Sequence, residues 1–100
     1  MLLTTGRLTH FLRTFGAADG IPVLLLHGSY ATGRWWERFA AALPEQFYAV
    51  APDLRGSGGS ERTTSGYEIE SLADDVAALA IALEWQEFHL VGHSTGGAVA

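Results

Sequence analysis

The chain has 100 residues, of which 48 % are hydrophobic, so it is long enough and apolar enough to form one folded unit with a buried core. Its net charge of −5 provides no cationic surface, so no nucleic-acid partner is expected. The chain has no cysteine, which excludes disulfides and a thiol nucleophile. The longest apolar run, residues 76–83, is too short to span a bilayer, and no signal-peptide pattern is visible. We therefore expect a cytoplasmic protein with no membrane partner.

Along the chain, apolar residues recur alternately with strand-like and helix-like spacing. The strand-like segments are Leu2–Thr4, Leu8–Phe15, Pro22–Leu26, Phe47–Ala51 and Phe88–Val91. The helix-like segments begin at Trp36, Ile69 and Ala98; the first carries Leu43 and ends at Pro44, and the second extends to Leu83. The first two strands predict a hairpin, and the rest predict a doubly wound α/β fold with a mostly parallel sheet.

The last strand leads into the segment Gly92-His93-Ser94-Thr95-Gly96, which matches the pattern G-x-S-x-G. Between a strand and a helix, this pattern forms a sharp turn that raises the central side chain above the sheet. The glycines are needed because the neighbouring backbone leaves no room for a Cβ atom. The start of the following helix offers free N–H groups that can hold an oxyanion. The pattern therefore predicts Ser94 as a nucleophile.

Two more motifs follow the earlier strands. His27-Gly28 comes after the first central strand, and the segment Asp53-Leu54-Arg55-Gly56-Ser57-Gly58-Gly59-Ser60 comes after the second. With the serine motif they resemble, in the same order, the oxyanion loop, the D-x-R-G-x-G-x-S loop and the nucleophile elbow of the α/β-hydrolase family. The resemblance implies that residues 1–100 are the N-terminal part of a single α/β-hydrolase domain, truncated after the elbow.

The resemblance also implies roles for individual residues. Ser94 would be the catalytic nucleophile, and the backbone N–H groups of Ser29 and Thr95 would form the oxyanion hole. The residues expected to support these loops are His27, Gly28, Asp53, Arg55, Gly92 and Gly96. The residues expected beside the substrate are Tyr30 and His93, whereas Trp35 and Trp36 are expected to pack in the core. No metal and no cofactor are expected.

The implied activity is that of a serine hydrolase, which acts on a small-molecule substrate through an acyl-enzyme. An ester, lactone, amide or carbon–carbon bond could be cleaved, and the sequence does not choose among them. Serine rather than aspartate at the elbow weighs against the dehalogenase and epoxide-hydrolase branches of the family, whose enzymes use a carboxylate nucleophile. A non-catalytic ligand-binding protein of the same fold and a cofactor-free haloperoxidase are the alternatives.

A nucleotide-binding module is not expected, although Gly28–Trp35 resembles a phosphate-binding loop. This segment carries Arg34 and Trp35 where such a loop needs a lysine and a magnesium-binding hydroxyl.

The predicted triad is incomplete within these 100 residues. The family order is serine, acid and then histidine, but no acid or histidine follows Ser94. A base is not expected from His93, because adjacent residues on a tight turn diverge. Since a serine without a base is a weak nucleophile, the chain alone is expected to be nearly inactive. We also expect Phe88–Val91 to be an unpaired apolar strand at the sheet edge, which favours self-association.

Overall fold

The computed structural model describes all 100 residues, which form one β-sheet with helices on both faces. The strands are β1 (Leu2–Thr4), β2 (Thr9–Phe15), β3 (Ile21–Leu26), β4 (Phe47–Pro52) and β5 (His89–Gly92). The helices are a 3₁₀ helix (Gly33–Trp36), α1 (Glu37–Ala41), α2 (Ile69–Ala82) and α3 (Thr95–Val99). None of the helices combines the length and the apolar character that crossing a membrane requires.

The sheet has the strand order β1-β2-β4-β3-β5. Strand β3 runs parallel to both of its neighbours, β4 and β5, and the β1–β2 hairpin joins β4 in antiparallel orientation. The predicted α/β fold is therefore confirmed, with its parallel central strands and N-terminal hairpin. Strand β5 pairs with β3 alone and forms an edge of the sheet. The carboxyl ends of β3, β4 and β5 lie together, at the end of the sheet where open α/β folds bind ligands.

Strand β3 lies inside the sheet because it is apolar on both faces. Residues 23–26 are all buried, and their side chains alternate between the two faces. Leu24 and Leu26 pack in the core beneath α2, and the other two residues pack in the core that contains Trp36. A strand of this kind needs cover on both faces, which the crossover helices supply.

The helix predicted from Trp36 to Leu43 is wrong at both ends. The chain first forms the 3₁₀ helix, which is capped by the side chain of Thr32, and α1 then ends at Ala41. Trp36 is buried as expected, but Trp35 is 57 % exposed. Adjacent residues of a 3₁₀ helix point about 120° apart, so these two tryptophans could not face the same core. All five strands and α2 agree with their predicted bounds to within one residue.

Two buried histidines make the fold sensitive to pH. Burial is the main cause that lowers the pKa of His10 and of His27 below the ordinary value of 6.5. His10 is fully buried, and neither of its ring nitrogens has a hydrogen-bond partner. The folded chain therefore holds both rings in the neutral form.

We predict that the free energy of unfolding falls as the pH is lowered from 7 to 5. In the unfolded chain the two histidines take up protons near pH 6.5. In the folded chain the buried rings resist protonation, so acid favours unfolding. In a His10→Leu variant the fall should be smaller, because one of the two groups is removed. Urea denaturation of both proteins at the two pH values measures the difference, and an equally steep fall in the variant would contradict this role of His10.

Candidate active site

The loops after β3, β4 and β5 meet at the carboxyl end of the parallel strands. The backbone N–H of His93 donates a hydrogen bond to the carbonyl oxygen of Leu26 at 3.1 Å, which joins the end of β5 to the end of β3. The backbone N–H of Leu54 donates to Nε2 of His27 at 2.9 Å, which joins the loop after β4 to the same region. The three motifs found in the sequence are therefore neighbours in space.

Ser94 occupies a strained turn between β5 and α3. Its φ of 56° and ψ of −119° form a backbone conformation that residues other than glycine rarely adopt. The residue is exposed, and α3 begins directly after it, at Thr95 instead of the predicted Ala98. The prediction placed this start too late because glycine and threonine are poor helix formers, whereas here the turn sets where the helix begins. Ser94 thus stands at an exposed corner between a strand and a helix.

Gly92 and Gly96 leave the space that this corner needs. A Cβ atom on Gly92 would lie closer than 3.0 Å to the carbonyl oxygen of Gly96. A Cβ atom on Gly96 would lie equally close to the carbonyl oxygens of Leu26 and His27. Since the obstacles are backbone atoms, no side-chain rotation could relieve either clash. The two glycines therefore allow α3 to begin directly against the end of β3.

The loop after β3 contacts the corner from the other side. A Cβ atom on Gly28 would lie 3.2 Å from the carbonyl oxygen of His93 and 3.2 Å from Cβ of Ser94. In the next residue, Oγ of Ser29 lies 2.7 Å from Oγ1 of Thr95. The backbone N–H groups of Ser29 and Thr95 have no acceptor within the chain. Two free backbone donors thus lie in loops that touch each other beside Ser94.

His27 is buried and joins two of these loops. Its Nε2 accepts the hydrogen bond from Leu54, so the proton of the neutral ring lies on Nδ1. Nδ1 lies 2.7 Å from the carbonyl oxygen of Gly28 and donates to it. Both ring nitrogens are therefore occupied by backbone partners, and the lowered pKa keeps this arrangement at neutral pH.

Asp53 is fully buried and holds three segments together. Its Oδ1 accepts hydrogen bonds from the guanidinium of Arg13 on β2 and from the backbone N–H of Gly33, the latter at 2.7 Å. Its Oδ2 accepts from the backbone N–H of Gly59 at 2.9 Å. A buried carboxylate needs such partners, because an unpaired charge in the core costs several kcal/mol (about 3–5 where one partner of a pair is removed).

Arg55 follows β4 and pairs with Asp75 on α2. Its Nε and Nη2 donate to the carboxylate of Asp75 at 2.9 and 2.7 Å, and Nε of Arg7 donates to the same carboxylate at 2.7 Å. Burial by itself would raise the pKa of Asp75, but the hydrogen bonds from Arg55 and Arg7 outweigh it and lower that pKa. The guanidinium of Arg55 is thus already neutralised by a buried partner.

Sequence reasoning missed three of these supporting residues: Arg7, Arg13 and Asp75. A signal existed for Asp75, because it lies between Leu72 and Val76 on the apolar face of α2. A single acid on such a face indicates a buried ion pair. The two arginines carry no comparable signal, because each reaches its partner only through the tertiary fold.

Two clefts flank the meeting point of the loops. One has a volume of about 250 Å³ and is lined by Ser94, Trp35 and His93, whose aromatic rings stack with centroids 5.0 Å apart. The other has a volume of about 340 Å³, and its lining includes Tyr30 and Tyr67. Three residues line both clefts: Gly28, Ser29 and Thr95.

No hydrogen bond joins a histidine of the chain to the hydroxyl of Ser94. His10 and His27 are buried, and His89 starts β5, at the opposite end of the strand from the corner. The ring of His93 stacks on Trp35.

Comparisons with known proteins agree with this geometry. A sequence model of the α/β hydrolase fold matches residues 21–100. Over 84 residues the chain is 40 % identical to a soluble epoxide hydrolase of Corynebacterium sp. (strain C12), and over 89 residues it is 35 % identical to a serine hydrolase-like protein of Homo sapiens. The solved structure of the epoxide hydrolase CorEH without ligand matches 99 % of the chain with a TM-score of 0.91 and 34 % identity. The chain belongs to the α/β hydrolase family.

These relatives are named as epoxide hydrolases or as hydrolase-like, and they are much longer than the matched region. The matches cover 84 % and 87 % of this chain but only 29 % of the Corynebacterium protein and 44 % of the human protein. The chain likewise covers 34 % of the CorEH structure. It therefore spans between about a third and a half of the length of these relatives.

Two neighbouring glycines of α3 provide a matched test of the corner. We predict that Gly96→Ala destabilises the protein by roughly 2–4 kcal/mol, because its Cβ atom would collide with the backbone at the end of β3. Gly97→Ala should be neutral or slightly stabilising, because the nearest atom to its Cβ, the carbonyl oxygen of Gly92, lies at an ordinary 3.6 Å and alanine favours helix. Thermal and urea unfolding of both variants measure the difference, and equal stability would contradict the described packing.

Proposed function

We propose that Ser94 is the nucleophile of a serine hydrolase that cleaves acyl compounds. Its hydroxyl oxygen attacks the carbonyl carbon of the substrate, and the carbonyl oxygen becomes a tetrahedral oxyanion. The backbone N–H groups of Ser29 and Thr95 donate hydrogen bonds to that oxyanion. A general base takes the proton of the serine hydroxyl and delivers it to the leaving group, which departs as its bond to the acyl carbon breaks. Water then hydrolyses the acyl-serine, which releases the acid and restores the serine hydroxyl.

The observation that carries this proposal is the conformation of Ser94 beside two free donors. A positive φ at a serine costs of order 1–3 kcal/mol, and such strain persists only where the surroundings impose it. Here three glycines at positions 28, 92 and 96 impose it by allowing the backbone segments to approach so closely. The result is an exposed hydroxyl next to backbone N–H groups that donate to no other group of the chain.

In this mechanism His27, Asp53 and Arg55 support the loops and do not transfer protons. The two nitrogens of His27 are bonded to backbone, and the two carboxylates of Asp53 and Asp75 are bonded to arginines. Gly28, Gly92 and Gly96 provide space, while Tyr30 and His93 border the clefts in which a substrate would lie.

A general base for Ser94 has to come from outside residues 1–100. The chain places no histidine in that role, and its relatives extend well beyond the matched region. We therefore propose that these residues are the N-terminal part of a single hydrolase domain, whose acid and histidine lie elsewhere in the protein.

The chemistry of the nucleophile favours acyl substrates, although one relative is named as an epoxide hydrolase. A carboxylate that opens an epoxide forms an ester, which water can hydrolyse at the enzyme's own carbonyl. A serine hydroxyl that opened an epoxide would form an ether, which has no carbonyl for water to attack. With Ser94 at the corner, turnover therefore requires a substrate that leaves an acyl group on the enzyme.

We predict that a fluorophosphonate probe labels the full-length protein at Ser94 and that Ser94→Ala abolishes the labelling. Hydrolysis of p-nitrophenyl acetate should fall by roughly 10⁴-fold or more in the same variant, because covalent catalysis is lost. Residues 1–100 expressed alone should be labelled far more slowly, because no base activates the serine. Peptide mapping by mass spectrometry and a steady-state ester assay make these measurements.

Ser65→Ala is the matched control, because its side chain is exposed and distant in sequence from the corner. This control should keep full labelling and ester hydrolysis. Rapid labelling of the isolated 100 residues would contradict the need for an outside base. Turnover of styrene oxide without ester hydrolysis would contradict the proposed acyl chemistry.

A further inference from the structure

The side chains of Ser29 and Thr95 form a hydrogen bond that the mechanism above does not use. The two hydroxyl oxygens lie 2.7 Å apart although the residues are 66 positions apart in sequence. The bond joins the loop after β3 to the first residue of α3. Both residues line both clefts, so the pair lies where a substrate at Ser94 would contact the chain.

The same two residues carry the backbone donors assigned to the oxyanion. Such donors accelerate a reaction only if they are held in place before the charge develops, so that no reorganisation is needed at that moment. Thr95 is fixed because it begins α3 at the strained corner. Ser29 lies in a turn closed by the hydrogen bond from the backbone N–H of Ala31 to the carbonyl oxygen of Gly28. This turn sets the local shape of the loop, but no backbone hydrogen bond of Ser29 ties it to α3.

The other hydrogen bond between these segments, from the backbone N–H of His93 to the carbonyl oxygen of Leu26, lies at the end of β3 and does not include Ser29. Gly28 approaches His93 and Ser94 closely, but this is a van der Waals approach that permits the loop to slide. A hydrogen bond between hydroxyls has a preferred length and direction and so restricts sliding. Because this bond is exposed and joins two side chains, it contributes little to overall stability.

Resting on the proposed function, we propose that the Ser29–Thr95 hydroxyl pair is a positioning device that sets the distance between the two oxyanion donors. The pair acts through the backbone N–H groups of the same residues. Removing either hydroxyl frees the loop after β3, and the N–H of Ser29 then spends less time aimed at the oxyanion. Loss of either hydroxyl should lower kcat and leave KM almost unchanged, because the two backbone donors matter most after the carbonyl has become tetrahedral.

A double-mutant cycle in the full-length protein tests this pairing. Ser29→Ala and Thr95→Val each remove one partner, and each should lower kcat for p-nitrophenyl acetate by about 5- to 10-fold. The double variant should lose no more than either single variant, because one bond accounts for both effects. The rate of fluorophosphonate labelling should follow the same pattern, since the phosphonyl oxygen occupies the oxyanion site.

Two controls separate positioning from stability. Thr95→Ser keeps a hydroxyl and should retain most of the activity, while Thr64→Val removes an exposed hydroxyl elsewhere and should have no effect. The melting temperatures of all variants should agree within a few degrees.

The outcomes distinguish this inference from the proposed function. Losses that multiply in the double variant, or a rise in KM with kcat unchanged, would overturn the positioning role while Ser94 is still labelled. A Thr95→Ser variant as impaired as Thr95→Val would also overturn it. A wild-type protein without any labelling at Ser94 would overturn the proposed function, and the positioning role with it.

Discussion

The close packing of Gly96 against the end of β3 is the contact on which the rest of the site depends. Because Gly96 has no side chain, α3 can begin directly against the carbonyl oxygens of Leu26 and His27. This position forces the chain to turn sharply between β5 and α3, and Ser94 takes the positive φ that the turn requires. The free N–H of Thr95 then lies beside the loop after β3, which carries the free N–H of Ser29. The close approach of α3 to the end of β3 thus brings the hydroxyl of Ser94 and the backbone N–H groups of Ser29 and Thr95 to one place.

Around this contact, buried polar groups hold the loops together through hydrogen bonds. His27 stays neutral and bonds backbone on both sides, and Asp53 is paired with Arg13 and with two backbone N–H groups. Each group would be costly in the core without its partners. The hydrogen bonds of these buried groups therefore make the loop arrangement specific, because other arrangements would leave a buried polar group unpaired. The exceptions are the ring nitrogens of His10 and the indole nitrogen of Trp36, which have no partner, and His10 stays in the core only as a neutral ring.

The order of strands and helices and the location of the strained turn could be predicted from sequence. Residues 23–26 are apolar without alternation, which only a strand covered on both faces explains. The spacing of Gly92, Ser94 and Gly96 between a strand and a helix indicated the turn, because few other backbones need that pattern.

Contacts between distant segments could not be predicted. Arg13 reaches Asp53, and Ser29 reaches Thr95, only after the sheet has formed. The exposure of Trp35 was missed because hydrophobicity alone does not say which of two adjacent residues faces the core. The lining of the two clefts could not be predicted for a similar reason, because its residues come together only in the folded chain.

A crystal structure of the full-length protein after reaction with a fluorophosphonate tests the central claim most directly. We predict a covalent bond between phosphorus and Oγ of Ser94, with the phosphonyl oxygen about 3 Å from the backbone nitrogens of both Ser29 and Thr95. A phosphonate attached to another residue, or a phosphonyl oxygen directed away from both nitrogens, would contradict it.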